Sequence, residues 1–325
     1  MGQAGRRRFL IGSGATLVAS MVSAQQAGRT YRLGVMLSGS ERDMKVFLLA
    51  LRDRLSNNGF IEGRNLLLEI REVTFASETA RSLVALRPDA IVSFTSRITR
   101  MVQEAAGPIP VVFTFVGDAV EYGLVKDYAR PGTNSTGTSW RQIGMTEKRL
   151  QLVREMLPRA KRIVFAGWFN DVSFRTSESQ IRAIATQLDL ELIYVEFGVD
   201  IARAVGLAEP QGADAVFVYQ PMAMLGLFDD ATTIIRDATK RRMPVFFAES
   251  ELVELGGVLS YGPSLVDEVR RAADLVARVL RGESPNRLPV ELASHFKLAV
   301  NMKAAETLDL KIPQSILLRA DRVIE

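Results

Sequence analysis

The chain contains no cysteine and one histidine among its 325 residues. Without cysteine it has neither a disulfide framework nor an attachment point for a lipid anchor. An exported protein of this length has enough core to do without disulfides. His295 has no second histidine or thiol near it and lies far from any Gly-x-Ser-x-Gly turn, so neither a zinc site nor a nucleophile–base pair assembles around it. No Gly-x-Gly-x-x-Gly follows the first expected strand, which removes the usual dinucleotide fingerprint, and no cofactor is expected. Beyond the first residues there is no block of lysine or arginine, so no nucleic acid partner is expected. The one early apolar run is short and interrupted by glycines, unlike a membrane span.

What is present is ordinary for a globular α/β protein. Apolar residues make up 47% and charged residues 24%, and the length suits two domains. The first residues stand apart. Arg6-Arg7-Arg8-Phe9-Leu10, an apolar run to Val22 and then Ser23-Ala24 form a basic region, an apolar core and a small-residue cleavage site. Residues 1–24 therefore read as a cleaved export signal, with the twin arginine fitting the Tat route; a Sec signal is the alternative. Losing that segment leaves 38 of the 41 cationic side chains against 37 anionic ones. A free periplasmic protein, not lipid-anchored, follows for a double-membraned host.

Strands alternate with helices along the rest of the chain, the pattern of parallel sheets covered on both faces. Strands are expected at Tyr31–Leu37, Leu66–Ile70, Ala90–Phe94, Val111–Val116 and Thr136–Trp140. Helices are expected at Met44–Leu55 and Ser77–Leu86, from Ile98, and after Asp118. The pattern restarts with a helix over Gly144–Leu157. Strands at Arg162–Gly167, Glu191–Glu196, Ala213–Tyr219, Pro244–Ala248 and Gly256–Tyr261 follow, with helices at Ser177–Leu188, Phe228–Arg241 and Val266–Leu280. The fold class is thus α/β, with two Rossmann-like, doubly wound lobes side by side.

In open α/β sheets ligands sit beyond the carboxyl ends of the strands. The polar residues there are Ser38 and Ser40 after the first strand, Thr95 and Ser96 after AIVSF, and Asp118 after VVFTFV. Thr95-Ser96 at a helix start suits a carboxylate, held by hydroxyls, backbone N–H groups and the helix dipole; it also suits plain N-capping. Asp118 is either the partner of a ligand amine or a turn-closing residue. In the second half Trp168, Asn170, Gln220 and Glu249 hold the equivalent places. Trp168 and Phe169 beside Asn170 give an aromatic wall with a hydrogen-bonding tip, or packing under a loop. No catalytic or metal set emerges.

Several stretches carry a further signal. Asn58-Gly59-Phe60-Ile61-Glu62-Gly63-Arg64-Asn65 is one, and Gly117-Asp118-Ala119-Val120 leading to Gly123-Leu124-Val125 is another. Ala129–Gly137, Lys148-Arg149-Leu150 with Leu157-Pro158, Gly256-Gly257 with Ser260–Ser264, and Asn301–Ala305 through Ile312-Pro313 to Arg319-Ala320-Asp321 complete them. In this order the chain resembles the ABC-transporter substrate-binding family that includes tryptophan- and tyrosine-binding proteins. Two places depart from it: Trp168–Val172, where relatives carry Asn-Pro then Asn or Glu, and Ala119, where many carry proline.

The resemblance implies the type I periplasmic binding protein fold, with three crossings near Thr136–Trp140, Tyr261–Ser264 and Pro289–Ala293. It implies a first lobe of residues 30–138 with 264–290 and a second of 139–263 with 291–325. It also implies a monomeric receptor that closes on a small-molecule solute, an amino acid or a related compound, aromatic ones included, and delivers it to the membrane subunits of an ABC permease. A ligand-sensing partner of a membrane receptor is the alternative. An α/β enzyme is disfavoured by the missing catalytic set.

Overall fold

The computed structural model describes residues 28–73, 76–140, 142–170, 172–196, 205–206, 212–219 and 228–325. The expected export signal, residues 1–24, lies outside the described residues. In chain order the strands are β1 (Tyr31–Leu37), β2 (Leu66–Glu72), β3 (Ala90–Phe94), β4 (Val111–Val116), β5 (Ser135–Ser139), β6 (Arg162–Gly167) and β7 (Glu191–Glu196). They continue with β8 (Ala215–Val218), β9 (Val245–Phe247), β10 (Leu259–Pro263), β11 (Glu291–Leu292), β12 (Phe296–Asn301) and β13 (Arg322–Ile324). The helices are α1 (Lys45–Asn57), α2 (Ala76–Ala85), α3 (Ser96–Ala106), α4 (Gln142–Met156) and α5 (Val172–Gln187). Then come α6 (Phe228–Lys240), α7 (Ser250–Glu254), α8 (Leu265–Leu280), α9 (Met302–Thr307) and α10 (Gln314–Leu317). No described helix is long and apolar enough to cross a membrane.

Two sheets form. The first has the order β2-β1-β3-β4-β5-β11, the second β7-β6-β8-β9-β10-β12-β13. Among the described strands every pairing is parallel except β10 with β12. Each sheet begins on the same 2-1-3-4-5 winding, whose order reverses beside its first strand, and that reversal opens a crevice at the carboxyl ends. The central strands are apolar because both faces are covered: AIVSF and VVFTFV are buried throughout.

The chain passes between the sheets three times. It leaves the first after β5, comes back when β10 of the second feeds α8, and leaves again between β11 and β12. Helix α8 packs on β3, β4, β5 and α1. Its apolar residues Leu265, Val269, Ala272, Ala273, Val276 and Leu280 recur at helical spacing and are buried. Ser264 caps it by accepting from the Asp267 N–H. Arg54 of α1 grips Asp274 of α8 through two bonds of 2.7 and 2.8 Å.

The segment after Asp118 departs from expectation. It forms a run of turns over residues 119–123 instead of a helix. Tyr122 N–H bonds the Asp118 carbonyl and Leu124 N–H the Ala119 carbonyl, so one turn starts. Gly123 then takes φ +66° and ends it. Helix α5 also begins at Val172, five residues ahead of the expected Ser177.

Glu268 makes a separate test of packing. It lies buried on α8 and pairs with Arg271, whose other arm donates 3.0 Å to the Leu292 carbonyl of β11. Burial pushes the Glu268 carboxyl above its ordinary 4.5, against the pull of Arg271 and Thr138. A carboxyl raised by folding stabilises the protein below its unfolded value, and that contribution is lost as pH rises through the folded value. Glu268→Gln should remove this slope. In urea titrations from roughly pH 4 to pH 8, the variant should gain on the parent as pH rises. A pH-independent difference would contradict the burial.

Candidate ligand-binding site

The carboxyl ends of the parallel strands bring most of the expected residues to two crevices. In the first sheet the winding reverses between β1 and β3. Ser38 follows β1, half-buried, with its hydroxyl 3.8 Å from the Met44 sulfur. Ser40 is occupied locally: it donates to Asp43 at 2.6 Å and accepts from the Asp43 N–H at 3.2 Å. That is helix-entry chemistry, which short hydroxyl side chains supply readily.

Thr95 and Ser96 open α3 and are 8% and 7% exposed. Thr95 stands at the cap position but makes no side-chain cap bond, with φ 69° and ψ 155°. Its carbonyl accepts from the Thr99 hydroxyl at 2.7 Å. A β-branched residue at positive φ is strained by about 1–3 kcal/mol, and such residues cluster at functional sites. Phe115, near the end of neighbouring β4, also has positive φ, at an irregularity in the β4–β5 register between Phe113 and Val116. Its ring meets Phe94 and Phe47 edge-on at 5.2 and 5.0 Å, which holds this conformation in place.

Asp118 closes the turn after β4. Its Oδ1 accepts from the N–H groups of Val120 (3.1 Å) and Glu121 (2.9 Å) and from the Tyr128 hydroxyl (2.6 Å). Glu121, next in the turn, accepts from the Thr176 hydroxyl of α5. The rims of the two sheets therefore touch.

In the second sheet Trp168 follows β6, half-buried against the largest core cluster, which takes in residues of both sheets. Phe169 points into a separate aromatic group, 4.6 Å from Phe174 and 5.2 Å from Tyr194. It is packing. Asn170 is exposed in a turn, and Gln220 lies outside the described residues. Glu249 follows β9, 1% exposed, at the N-cap of α7 without a capping bond.

One residue was missed. Arg149 of α4 is 4% exposed. Its Nε donates to the Tyr261 carbonyl of β10 at 2.6 Å, and Nη2 reaches the Ala248 carbonyl at 3.4 Å. Burial lowers its pKa to about 10, with Glu249, Tyr219 and Tyr261 pulling the other way, so it stays charged at neutral pH. In sequence, Lys148-Arg149-Leu150 is one of the stretches that carry the family resemblance, and nothing in it marks Arg149 as part of a site. Among the described residues no His, Cys, Asp or Glu group is arranged to hold a metal.

The family model for ABC transporter substrate binding proteins matches residues 36–324. The chain belongs to that family. Similar to this ABC transporter substrate binding protein is the tyrosine-binding protein of Clostridioides difficile strain R20291, 25% identical over 276 residues, covering 83% of this chain and 77% of that protein. A conserved domain protein from Vibrio cholerae superposes with TM-score 0.82 at 26% identity, over 91% of this chain and all of the other. An ABC domain from Streptococcus pneumoniae, solved in complex with L-Trp, gives TM-score 0.81 at 22% identity over 91% and 100%. The two-lobed periplasmic binding protein type I fold is therefore that of this family member.

Proposed function

We propose that this substrate-binding protein is the periplasmic receptor of an ABC importer and closes on an amino acid or close relative, with an aromatic side chain as the favoured form. Its lobes are drawn as residues 30–139 with 264–292 and 140–263 with 293–325, slightly past the expected 138 and 290, because β5 and β11 pair within the first sheet. The observation that carries the reading is the pairing of opposite chemistries on adjacent strand ends of the first sheet. Beside β3, the two buried hydroxyls of Thr95 and Ser96 meet the positive end of α3. Beside β4 stands the carboxylate of Asp118. A carboxylate at the first and an ammonium at the second describe an amino acid head group. The ring of Trp168 and the acid of Glu249 supply the opposite wall. Closure follows because a solute touching both walls stabilises only the closed state.

A thermal-shift panel tests this. L-tryptophan, L-tyrosine, branched amino acids, aromatic acids lacking the amine, and nucleosides are added separately to the protein. A ligand at 100 times its Kd stabilises the native state by about 2.7 kcal/mol, which raises the melting temperature measurably. Aromatic amino acids should shift it and their deaminated forms should not. A shift from nucleosides alone would sink the proposed ligand.

A further inference from the structure

Arg149 is unusual in what it holds. A buried guanidinium carries a desolvation cost that is met only by several well-placed acceptors. Here the acceptors belong to two different segments. Tyr261 sits on β10, the strand through which the chain passes from the second sheet toward α8. Ala248 directly precedes Glu249 at the end of β9. The two segments are already pressed together at Gly262. A Cβ there would lie 2.1 Å from the Ala248 carbonyl oxygen and 3.1 Å from Arg149 Nη2, so only glycine fits. Arg149 itself rides on α4, the first helix after the chain has left the first sheet. One side chain thus joins the element after the first crossing, the strand of the second crossing, and the strand end bearing Glu249.

We propose that Arg149 is a positioning residue for solute capture, fixing the Glu249 wall to the second crossing so that contact with solute and movement between the lobes are one event. This rests on the reading of Glu249 as part of the solute wall. Arg149 acts on the solute through Glu249 and the crossing strand. Its planar guanidinium spans two carbonyls, whereas a lysine ammonium in the same place keeps the charge but reaches one of them well.

The test uses the absence of cysteine. Arg64→Cys and Lys311→Cys, both exposed and on opposite lobes, give a dye pair for single-molecule energy transfer. The interlobe distance distribution is recorded for the parent, Arg149→Lys and Arg149→Met, first without solute and then with L-tryptophan or whichever panel member stabilises the parent. Without solute, Arg149→Met should shift the distribution, with Arg149→Lys between it and the parent. With solute, Arg149→Met should bind at least tenfold more weakly, and lysine should restore part of the loss. Glu249→Gln combined with Arg149→Lys should be non-additive in the solute-free distribution, as expected for coupled neighbours. A residue that merely fills the core would lower the melting temperature yet leave the distribution and the affinity of the folded protein unchanged, and that result overturns the proposal. Should Arg149→Met fail to fold, Arg149→Lys decides alone, by the same criterion. Should the parent bind nothing on the panel, the proposed ligand fails while the solute-free comparison still judges Arg149.

Discussion

Asparagine in place of Asp118 is expected to weaken binding of an amine-bearing solute at least tenfold while leaving the melting temperature close to that of the parent. All of its turn bonds fall on one oxygen, which leaves the other for the proposed solute ammonium. Oδ1 closes the turn with three hydrogen bonds, from Val120, Glu121 and Tyr128. An amide oxygen accepts those bonds as well, so the asparagine turn survives. What it lacks is charge, and a charge-assisted bond is roughly twice as strong as a neutral one. Tenfold in Kd corresponds to about 1.4 kcal/mol, well within that difference. Asp118→Ala loses both roles. Opening the turn leaves two backbone donors and a tyrosine hydroxyl without their acceptor, at about 1–3 kcal/mol for each group kept from water. Calorimetric titration of both variants separates the effects. Undiminished affinity in the asparagine variant would remove Asp118 from the solute site and leave it as a turn residue.

Alanine at Gly137 is expected to be the most destabilising conservative change in the first lobe. Gly137 lies on β5, where a Cβ would stand 2.1 Å from the Phe113 carbonyl oxygen and 2.4 Å from the Phe113 ring. Neither neighbour has room, because β4 is buried throughout and its register with β5 is already irregular from Phe113 onward. Overpacking of this kind costs about 3 kcal/mol. For a protein of this size that lowers the melting temperature by about 5 °C. Gly144→Ala on α4 is the control: nothing lies within 4 Å of its added Cβ. There the change should be neutral or stabilising by up to about 1 kcal/mol, since alanine favours helix. Equal melting of the two variants would mean that β4 and β5 lie farther apart than 2.1 Å implies.

The central strands were legible because burial on both faces writes itself as an apolar run. Ala90–Phe94, Val111–Val116 and Arg162–Gly167 begin and end where the composition changes. Elements held by partners were not legible. β11 is two residues long and exists only because Glu291 and Leu292 pair with Thr138 and Ser139. The turn over residues 119–123 carries helix-forming residues, and the left-handed Gly123 overrides them. At the site, strand ends could be read but the use of each side chain could not. Ser40 bonds its own helix entry, and Asp118 spends one oxygen on its turn. Arg149 shows the limit most clearly: Lys148 beside it is only half-buried, and nothing in the pair says which one turns inward.

The threading of the chain also sets an order of assembly during synthesis. The strands β1 to β5 are complete by residue 139, yet α8, which covers β3 to β5, ends at residue 280. The edge strand β11 arrives only at residue 291. A ribosome-bound chain of two hundred and fifty residues or so therefore carries a first sheet with one apolar face covered by α1 alone and one edge unpaired, both of which invite aggregation. Neither lobe can mature ahead of the other. The first waits for sequence that lies beyond most of the second, so the protein gains its final form nearly all at once, close to the end of translation.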